Sequence, residues 1–348
     1  MQNGGAFLFF YCYNNIMKHK AKKAVHFCLT AAVLATTIFL INYAVKKGFT
    51  LSSYLSNTQQ WQPPAPVAPS ARDAFIPPDH IPFDITRGTI RTIAGTGYPG
   101  FTGNGILIAT QSLLNRPCGV RVDDYSNVYI LDCGNRRLRQ IFPNGNITTL
   151  AGNLKDDFPR NNFSAERFSL QNPTDFVWDS DGNFYISDAD LNRIIKFDEN
   201  RLLTFFAGDG EDKNDGDGGL AFNAGIAHPS ALAIDEDDNI FVYTENIVRK
   251  IDARGIITTV QDAPPNMHCR AVDRDGNLYE AEGNQIIKIS DGKKTVIAGT
   301  GDAGYFGDGL PADLAELNAP DCVAVDRVGS VYIADTGNNA IRKIIYNR

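Results

Sequence analysis

The chain has 348 residues, of which 43% are hydrophobic. That is enough apolar material for a sizeable core and excludes wholesale disorder. The formal charge is −7, but residues 1–69 hold six lysines and no acid, so the remainder carries 27 bases against 40 acids, or −13. A body that acidic is a poor grip for nucleic acid, which needs clustered Lys and Arg against phosphate.

The first element in chain order is Ala24–Val45, AVHFCLTAAVLATTIFLINYAV. Its 22 residues are uncharged apart from the titratable His26, and as a helix they are long enough to cross a hydrocarbon core. Lys18, Lys20, Lys22 and Lys23 precede it and only Lys46 and Lys47 follow. The positive-inside bias therefore keeps residues 1–23 in the cytoplasm and sends everything after the span outside. The expectation is a retained, single-pass signal anchor. The alternative is secretion after cleavage of a signal peptide, which the long apolar run and the poor Asn42-Tyr43-Ala44 cleavage context oppose. Met17 opens MKHKAKKA, a natural basic leader, and is an alternative start to Met1.

Residues 46–86 read as a stalk. Pro63, Pro64, Pro66, Pro69, Pro77, Pro78 and Pro82 recur among Ser, Ala and Gln, a composition that favours extended polyproline geometry over helix or central strand. The domain order expected is a basic N-terminus (1–23), a span (24–45), the stalk (46–86) and a repeating domain (87–348).

The repeats are visible at two landmarks. A proline precedes a short apolar strand at Pro117, Pro173, Pro229, Pro265 and Pro320, and an aspartate ends it at Asp123, Asp179, Asp235, Asp273 and Asp326. Each unit then offers a turn such as DSDGN (179–183) or DRDGN (273–277). An aromatic and β-branched second strand follows (NVYIL, NFYIS, NIFVY, NLYEA, SVYIA). The third strand carries a base (LRQI, IIKF, VRKI, IIKI, IRKI), and the fourth ends in sequences such as ITTLAG or TVIAG. Four short strands per repeat at hairpin spacing predict a β-propeller blade. The last repeat stops after its third strand, at Ile344, while an orphan fourth strand, TIRTIAG (89–95), opens the domain. The fold expected is all-β, five four-stranded blades closed by strand 89–95, with six blades as the alternative.

TIAGTG, DDYSNVYILDCGNRRLRQI, DSDGNFYISDADLNRIIKF and DRVGSVYIADTGNNAIRKI resemble the NHL-repeat family. GDGGLAF (216–222) and GDGLPADLAELNAP (307–320) resemble its bacterial and teneurin-type versions. The resemblance covers about residues 89–348 and implies a propeller. It does not fix a function, because such propellers include sensors, scaffolds, RNA binders and lyases.

In a propeller the loops between strands two and three, and from strand four to the next blade, share one face. Both kinds are long here, so binding is expected on that face. Asp132, Asp188 and Asp335 recur after second strands and are ligand candidates, although turn capping and pairing to Arg139, Arg193 or Arg342 explains them as well. Asp209, Glu211, Asp212, Asp215 and Asp217 crowd one Gly-rich loop and offer a calcium site or a solvated acidic loop. Cys118, Cys269 and Cys322 start first strands, with His268, Asp321 and Asp175 at matching positions. First strands line the channel, so these groups suggest a zinc site, a Cys269–Cys322 disulfide, a ligand site at the pore mouth, or ordinary buried thiols.

No GxSxG, HExxH or phosphate-cradling loop beside a helix is present in the sequence. The expectation is a membrane-anchored extracytoplasmic binding module for a protein or an envelope glycan. It is more a scaffold than an enzyme, and no cofactor is firmly implied. The alternative is a metal-dependent, lactonase-like hydrolase or lyase at the channel mouth.

Overall fold

The computed structural model describes residues 87–102, 107–153, 163–260 and 269–346. The span, the stalk, the alternative start and His268 lie outside them. Among the described residues there is no α-helix, and no helix long and apolar enough to cross a membrane.

The domain opens with β1 (Thr89–Ala94). Blade 1 comprises β2 (Leu107–Ile108), β3 (Pro117–Val122), β4 (Val128–Asp132), β5 (Arg137–Ile141) and β6 (Asn146–Ala151). Blade 2 comprises β7 (Phe163–Ser164), β8 (Pro173–Trp178), β9 (Phe184–Asp188), β10 (Arg193–Phe197) and β11 (Leu202–Ala207). Blade 3 runs through β12 (Ala231–Ile234), β13 (Ile240–Tyr243), β14 (Val248–Ile251) and β15 (Ile257–Val260). Blade 4 follows with β16 (Ala271–Val272), β17 (Leu278–Glu282), β18 (Gln285–Ser290) and β19 (Lys293–Ala298). Blade 5 contributes β20 (Cys322–Val325), β21 (Val331–Asp335) and β22 (Ala340–Ile345).

Every sheet is antiparallel, and β1 pairs with β22 from Thr89↔Ile345 to Ala94↔Ile341. Five blades are therefore present, and the N-terminal strand completes the fifth. This closure leaves β22 paired on both sides instead of exposing an edge. The two-residue strands β2 and β7 add a fifth strand to blades 1 and 2. They lie in inter-blade pieces, where polar composition masks a strand this short.

Alternation along the strands distributes the core between blades. Ile130 faces blade 5 together with Ile341 and Ala334, while Leu131, one residue on, faces Phe176 and Ile186 of blade 2. Tyr185 and Ile194 of blade 2 meet Leu232 and Val242 of blade 3, and Tyr279 of blade 4 meets Val323 and Ile333 of blade 5. Burying one such side chain is worth about 1.5–3 kcal/mol. Blade 4 departs from the rule. Glu280 takes the column held by Ile130, Ile186, Val242 and Ile333, and it pairs with Arg270 at 3.2 Å and Lys294 at 3.7 Å.

The glycine after the fourth strand of blades 1, 2, 4 and 5 has a physical reason. Gly95, Gly152, Gly208 and Gly299 adopt φ near +90°, and a Cβ on any of them would collide with the carbonyl oxygen of Asn339, Arg136, Asn192 or Asn284. Only glycine lets the two backbones approach this closely.

Candidate functional site

The short turns are structural. The Asp179 carboxylate accepts from the Asp181 and Asn183 N–H groups, the Asn183 amide at 2.7 Å and the Tyr185 hydroxyl at 2.9 Å. Asp273 repeats the arrangement with Asn277 and Tyr279. Burial works against its ionisation, but these donors and Lys288 outweigh it and hold Asp273 down at about 2.

On the opposite face, the Asn135 amide donates to Gly100 O and the Asn338 amide to Gly304 O. The strand 2–3 loops and the inter-blade loops thus share one face. Asparagines of those loops also clip consecutive blades together. The Arg116 N–H donates to Asn339, the His228 N–H to Asn192 and the Ala319 N–H to Asn284, each at 2.9 Å.

The recurrent acids lie beneath this face. Asp132, Asp188 and Asp335 are fully buried. Asp132 accepts the Asn115 N–H and the Asn135 amide, both at 2.8 Å, and Asp335 accepts the Asn318 N–H at 2.8 Å and the Asn338 amide at 2.9 Å. Asp188 accepts the N–H groups of Gln171, Asn172 and Leu191. These carboxylates tie two loops together and present nothing to a ligand. Burial pushes Asp132 up to about 6 against the Asn115 N–H, the Asn135 amide and Arg139, and burial raises Asp188 and Asp335 as well. The base pairing expected of them occurs at Arg139 (3.6 Å) and Arg342 (3.4 Å). Arg193 instead donates to the carbonyls of Gly208 and Asp209, both at 2.6 Å.

Most acids of this loop are paired within the chain. Lys213 reaches Asp209 at 3.0 Å and Asp215 at 3.3 Å, and His228 faces Asp212 at 3.4 Å. The Glu211 N–H donates to Asp209. Asp217 leaves the group to bind the buried Arg249 at 2.7 Å and the Thr259 N–H at 3.0 Å. Among the described residues no group of three or more His, Cys, Asp or Glu is arranged to hold a metal ion. The expected calcium set therefore does not converge, and cations and N–H groups of the chain already hold Asp209, Asp215 and Asp217.

Asp308 of the second Gly-Asp-Gly copy repeats the Asp217 arrangement, binding Arg342 at 2.7 Å and the Thr92 N–H at 2.9 Å. Sequence reasoning missed this role. The signal was the Gly-Asp-Gly at both 216–218 and 307–309, each followed in space by an Arg/Thr pair on neighbouring strands.

The cysteines also differ from expectation. Cys118 forms a disulfide with Cys133, while Cys269 and Cys322 are thiols. A zinc site built on Cys118 loses that ligand. The expected Cys269–Cys322 bond is not formed, although both residues line one cavity.

That cavity is the central channel. It measures 450 Å³ and is lined by Val120, Arg121, Trp178, Arg270 and the two thiols among others. Arg121 donates to Asp175 at 3.0 Å. Asp175 is buried and also accepts the Phe176 N–H at 2.8 Å and, across to blade 3, the Leu232 N–H at 3.0 Å. It ties three blades together at the channel wall. Asp321 is exposed beside Cys322, and its N–H donates to Ala334 O.

The loop face ends in exposed aromatic residues. Tyr98 is 74% exposed, Phe306 42% and Tyr305 39%. Their loops touch, because the Tyr305 ring lies against Gly97. Tyr305 is held by Arg342, 5.2 Å from its ring centre, and by the Thr92 hydroxyl at 3.2 Å.

Residues 206–278 match the family model described as the Teneurin NHL domain. Teneurin-3 of Mus musculus is 26% identical over 302 residues, which cover 74% of this chain and 10% of that protein. Teneurin-4 of Homo sapiens is 25% identical over 280 residues, covering 68% of this chain and 10% of that protein. Protein SUPPRESSOR OF QUENCHING 1, chloroplastic, of Arabidopsis thaliana is 26% identical over 294 residues, covering 74% and 27% respectively. The chain thus spans about a tenth of the length of the teneurins it matches. A protein of unknown function from Bacteroides thetaiotaomicron VPI-5482 aligns with TM-score 0.42 and 21% identity, covering 74% of this chain and 75% of that one. An auxiliary nutrient binding protein from the same bacterium aligns with TM-score 0.42 and 15% identity, covering 74% and 76%. Likeness that loose says nothing about function.

Proposed function

We propose, from the premise that residues 87–348 are an NHL-repeat propeller of the teneurin-like kind, that this protein is a membrane-anchored binding module. Its propeller is held outside the membrane and takes a protein or an envelope glycan on its long-loop face. The observation that carries this reading is the exposed aromatic group Tyr98, Tyr305 and Phe306 on two touching loops. Rigid aromatic side chains offer large contact area at low entropic cost and are enriched where proteins bind partners. Sugar rings stack their C–H faces on the same surfaces. The apolar run 24–45 and its lysine asymmetry support the anchored topology.

The test is cross-linking and capture from native membranes with the full chain and with a Tyr98→Ala/Phe306→Ser variant. Both side chains are exposed, so the variant is expected to keep its stability and lose its partner. Capture of the same partner by both proteins would move binding off this face. Protease digestion of sealed vesicles tests topology, and a propeller protected in right-side-out vesicles would overturn the anchored arrangement.

A further inference from the structure

Blades 1, 4 and 5 meet at the channel wall. Cys269 stands just before β16, and Cys322 opens β20. The Cys269 thiol donates to the Cys118 carbonyl at 3.5 Å, and the Cys322 thiol reaches the Val120 carbonyl at 3.9 Å. Both sulfurs therefore lie against β3. Cys322 is 6% exposed, Cys269 is half-buried, and both line the 450 Å³ channel cavity. Arg121 lines the same cavity.

We propose that Cys269 and Cys322 are a dithiol site that a small disulfide oxidant entering the channel closes into a disulfide joining blade 4 to blade 5. Cys269, the more exposed sulfur, displaces one thiolate from the oxidant RS–SR and becomes a mixed disulfide. Cys322 then attacks the Cys269 sulfur and displaces the second thiolate. Two protein thiols lose two electrons and two protons, and the oxidant leaves as two RSH.

The charges around the pair favour the second of these attacks, while the first is set by access to Cys269. The neighbouring Cys269 sulfur lowers the Cys322 thiol, burial opposes that, the Arg121 guanidinium adds to the lowering and Asp175 works against it. Cys269 is pushed up, first by Cys322, then by burial and by the Asp321 and Asp175 carboxylates. Cys322 is thus the readier of the two to ionise, which suits it to resolve the mixed disulfide. Arg121 is a positioning residue, and Asp175 fixes its guanidinium at 3.0 Å. The structural consequence falls on the shortest first strand. β16 has only two residues, against four to six in the other blades. A covalent tie just before it would fix it to blade 5.

The test uses the purified full chain, reduced and then exposed to hydroxyethyl disulfide under native conditions, followed by tryptic mass mapping. Cleavage after Arg254, Arg270, Lys294 and Arg327 isolates each cysteine in its own peptide. The expected product joins peptides 255–270 and 295–327. Cys322→Ser is expected to stop at a mixed disulfide on Cys269, and Cys269→Ser to leave Cys322 unlabelled on the same timescale. Arg121→Met is expected to slow closure about threefold for each pKa unit that Cys322 gains, and to move the pH profile of closure upward. Arg121→Lys, which keeps the charge, is expected to restore the rate. Separate mixed disulfides on both cysteines without joining, or no reaction until urea is added, would overturn the proposal.

Discussion

Blades 1, 3 and 5 place an arginine at the centre of the third strand, Arg139, Arg249 and Arg342, where blades 2 and 4 place Ile195 and Ile287. The neighbouring fourth-strand position follows suit. It is Thr149, Thr259 and Thr92 beside the arginines, but Phe205 and Val296 beside the isoleucines. All three guanidinium side chains are fully buried. An isoleucine is stable there by itself. A buried arginine requires a carboxylate from elsewhere, because an uncompensated charge in the interior costs several kcal/mol.

The three arginines solve this to different degrees. Arg342 has Asp335 at 3.4 Å and Asp308 at 2.7 Å. Arg249 has Asp217 at 2.7 Å and the carbonyls of Gly225 and Asp215, because Thr244 stands where the other two have an aspartate. Arg139 has one carboxylate, Asp132 at 3.6 Å, with the Thr148 carbonyl at 3.4 Å from its Nε and the Phe101 ring centre 5.1 Å away. Its two terminal nitrogens and the Thr149 hydroxyl find no hydrogen-bond partner among the described residues. In sequence, Asn104 occupies the middle of the corresponding Gly-x-Gly, at 103–105. The loops are therefore part of the core electrostatics of blades 3 and 5, whereas the even blades do without them.

The largest test of this contrast is Arg342→Met against Ile195→Met. The first strands two carboxylates and is expected to cost about 3–5 kcal/mol. The second is a near-isosteric apolar swap, expected to cost under about 1.5 kcal/mol. Urea unfolding measures both, and equal costs would erase the distinction between the two kinds of blade.

A pH series comes next. Asp132, raised to about 6 in the fold, binds its proton more tightly there than in the unfolded chain. Its contribution is fully present below the unfolded value near pH 4 and is lost as pH rises through 6. That loss is about 2 kcal/mol between pH 4 and 7. Asp188 and Asp335 act in the same direction. Asp273, held at about 2, acts oppositely, and its contribution is lost only as pH falls from about 4 towards 2. If stability instead rises from pH 5 to 7, pairing with Arg139 outweighs burial at Asp132.

Asp308→Ala removes one of the two carboxylates on Arg342 and the acceptor of the Thr92 N–H. It is expected to cost about 2 kcal/mol in the same assay. A loss within error would make Asp335 sufficient alone. The smallest effect is a gain. By the sequence correspondence of Asn104 with Asp217 and Asp308 alone, Asn104→Asp is expected to stabilise by about 1 kcal/mol. A lower melting temperature would show that Arg139 is satisfied in another way.

Much of the fold was legible because β-structure is local and periodic. Alternation over four to six residues fixed each strand and its two faces. The recurrence of turns led by Asp123, Asp179, Asp235, Asp273 and Asp326 fixed the hairpins, and the mismatch between the two ends fixed the closure by Thr89–Ala94. The site was less legible. Asp132, Asp188 and Asp335 had the spacing of ligand groups, but their burial depends on loops packed over them. Asp217 looked like one of five loop acids until Arg249 was seen beneath it. Cys133 gave no hint of a partner. Its approach to Cys118 depends on the β3–β4 pairing, irregular between Pro117 and Gly119.

The sequence by itself determined the propeller and the strand that closes it, because those follow from side-chain alternation and turn chemistry within about 50 residues, while the choice of five blades over six came from the sheets themselves. Tertiary structure alone decided which charges meet. Arg249 finds Asp217, Arg342 finds Asp308 and Arg121 finds Asp175 across 32, 34 and 54 positions. Cys269 and Cys322 converge on β3 from two other blades. Ion pairing and thiol contact depend on distance in space, and in a closed ring that distance is set by how the blades pack against one another.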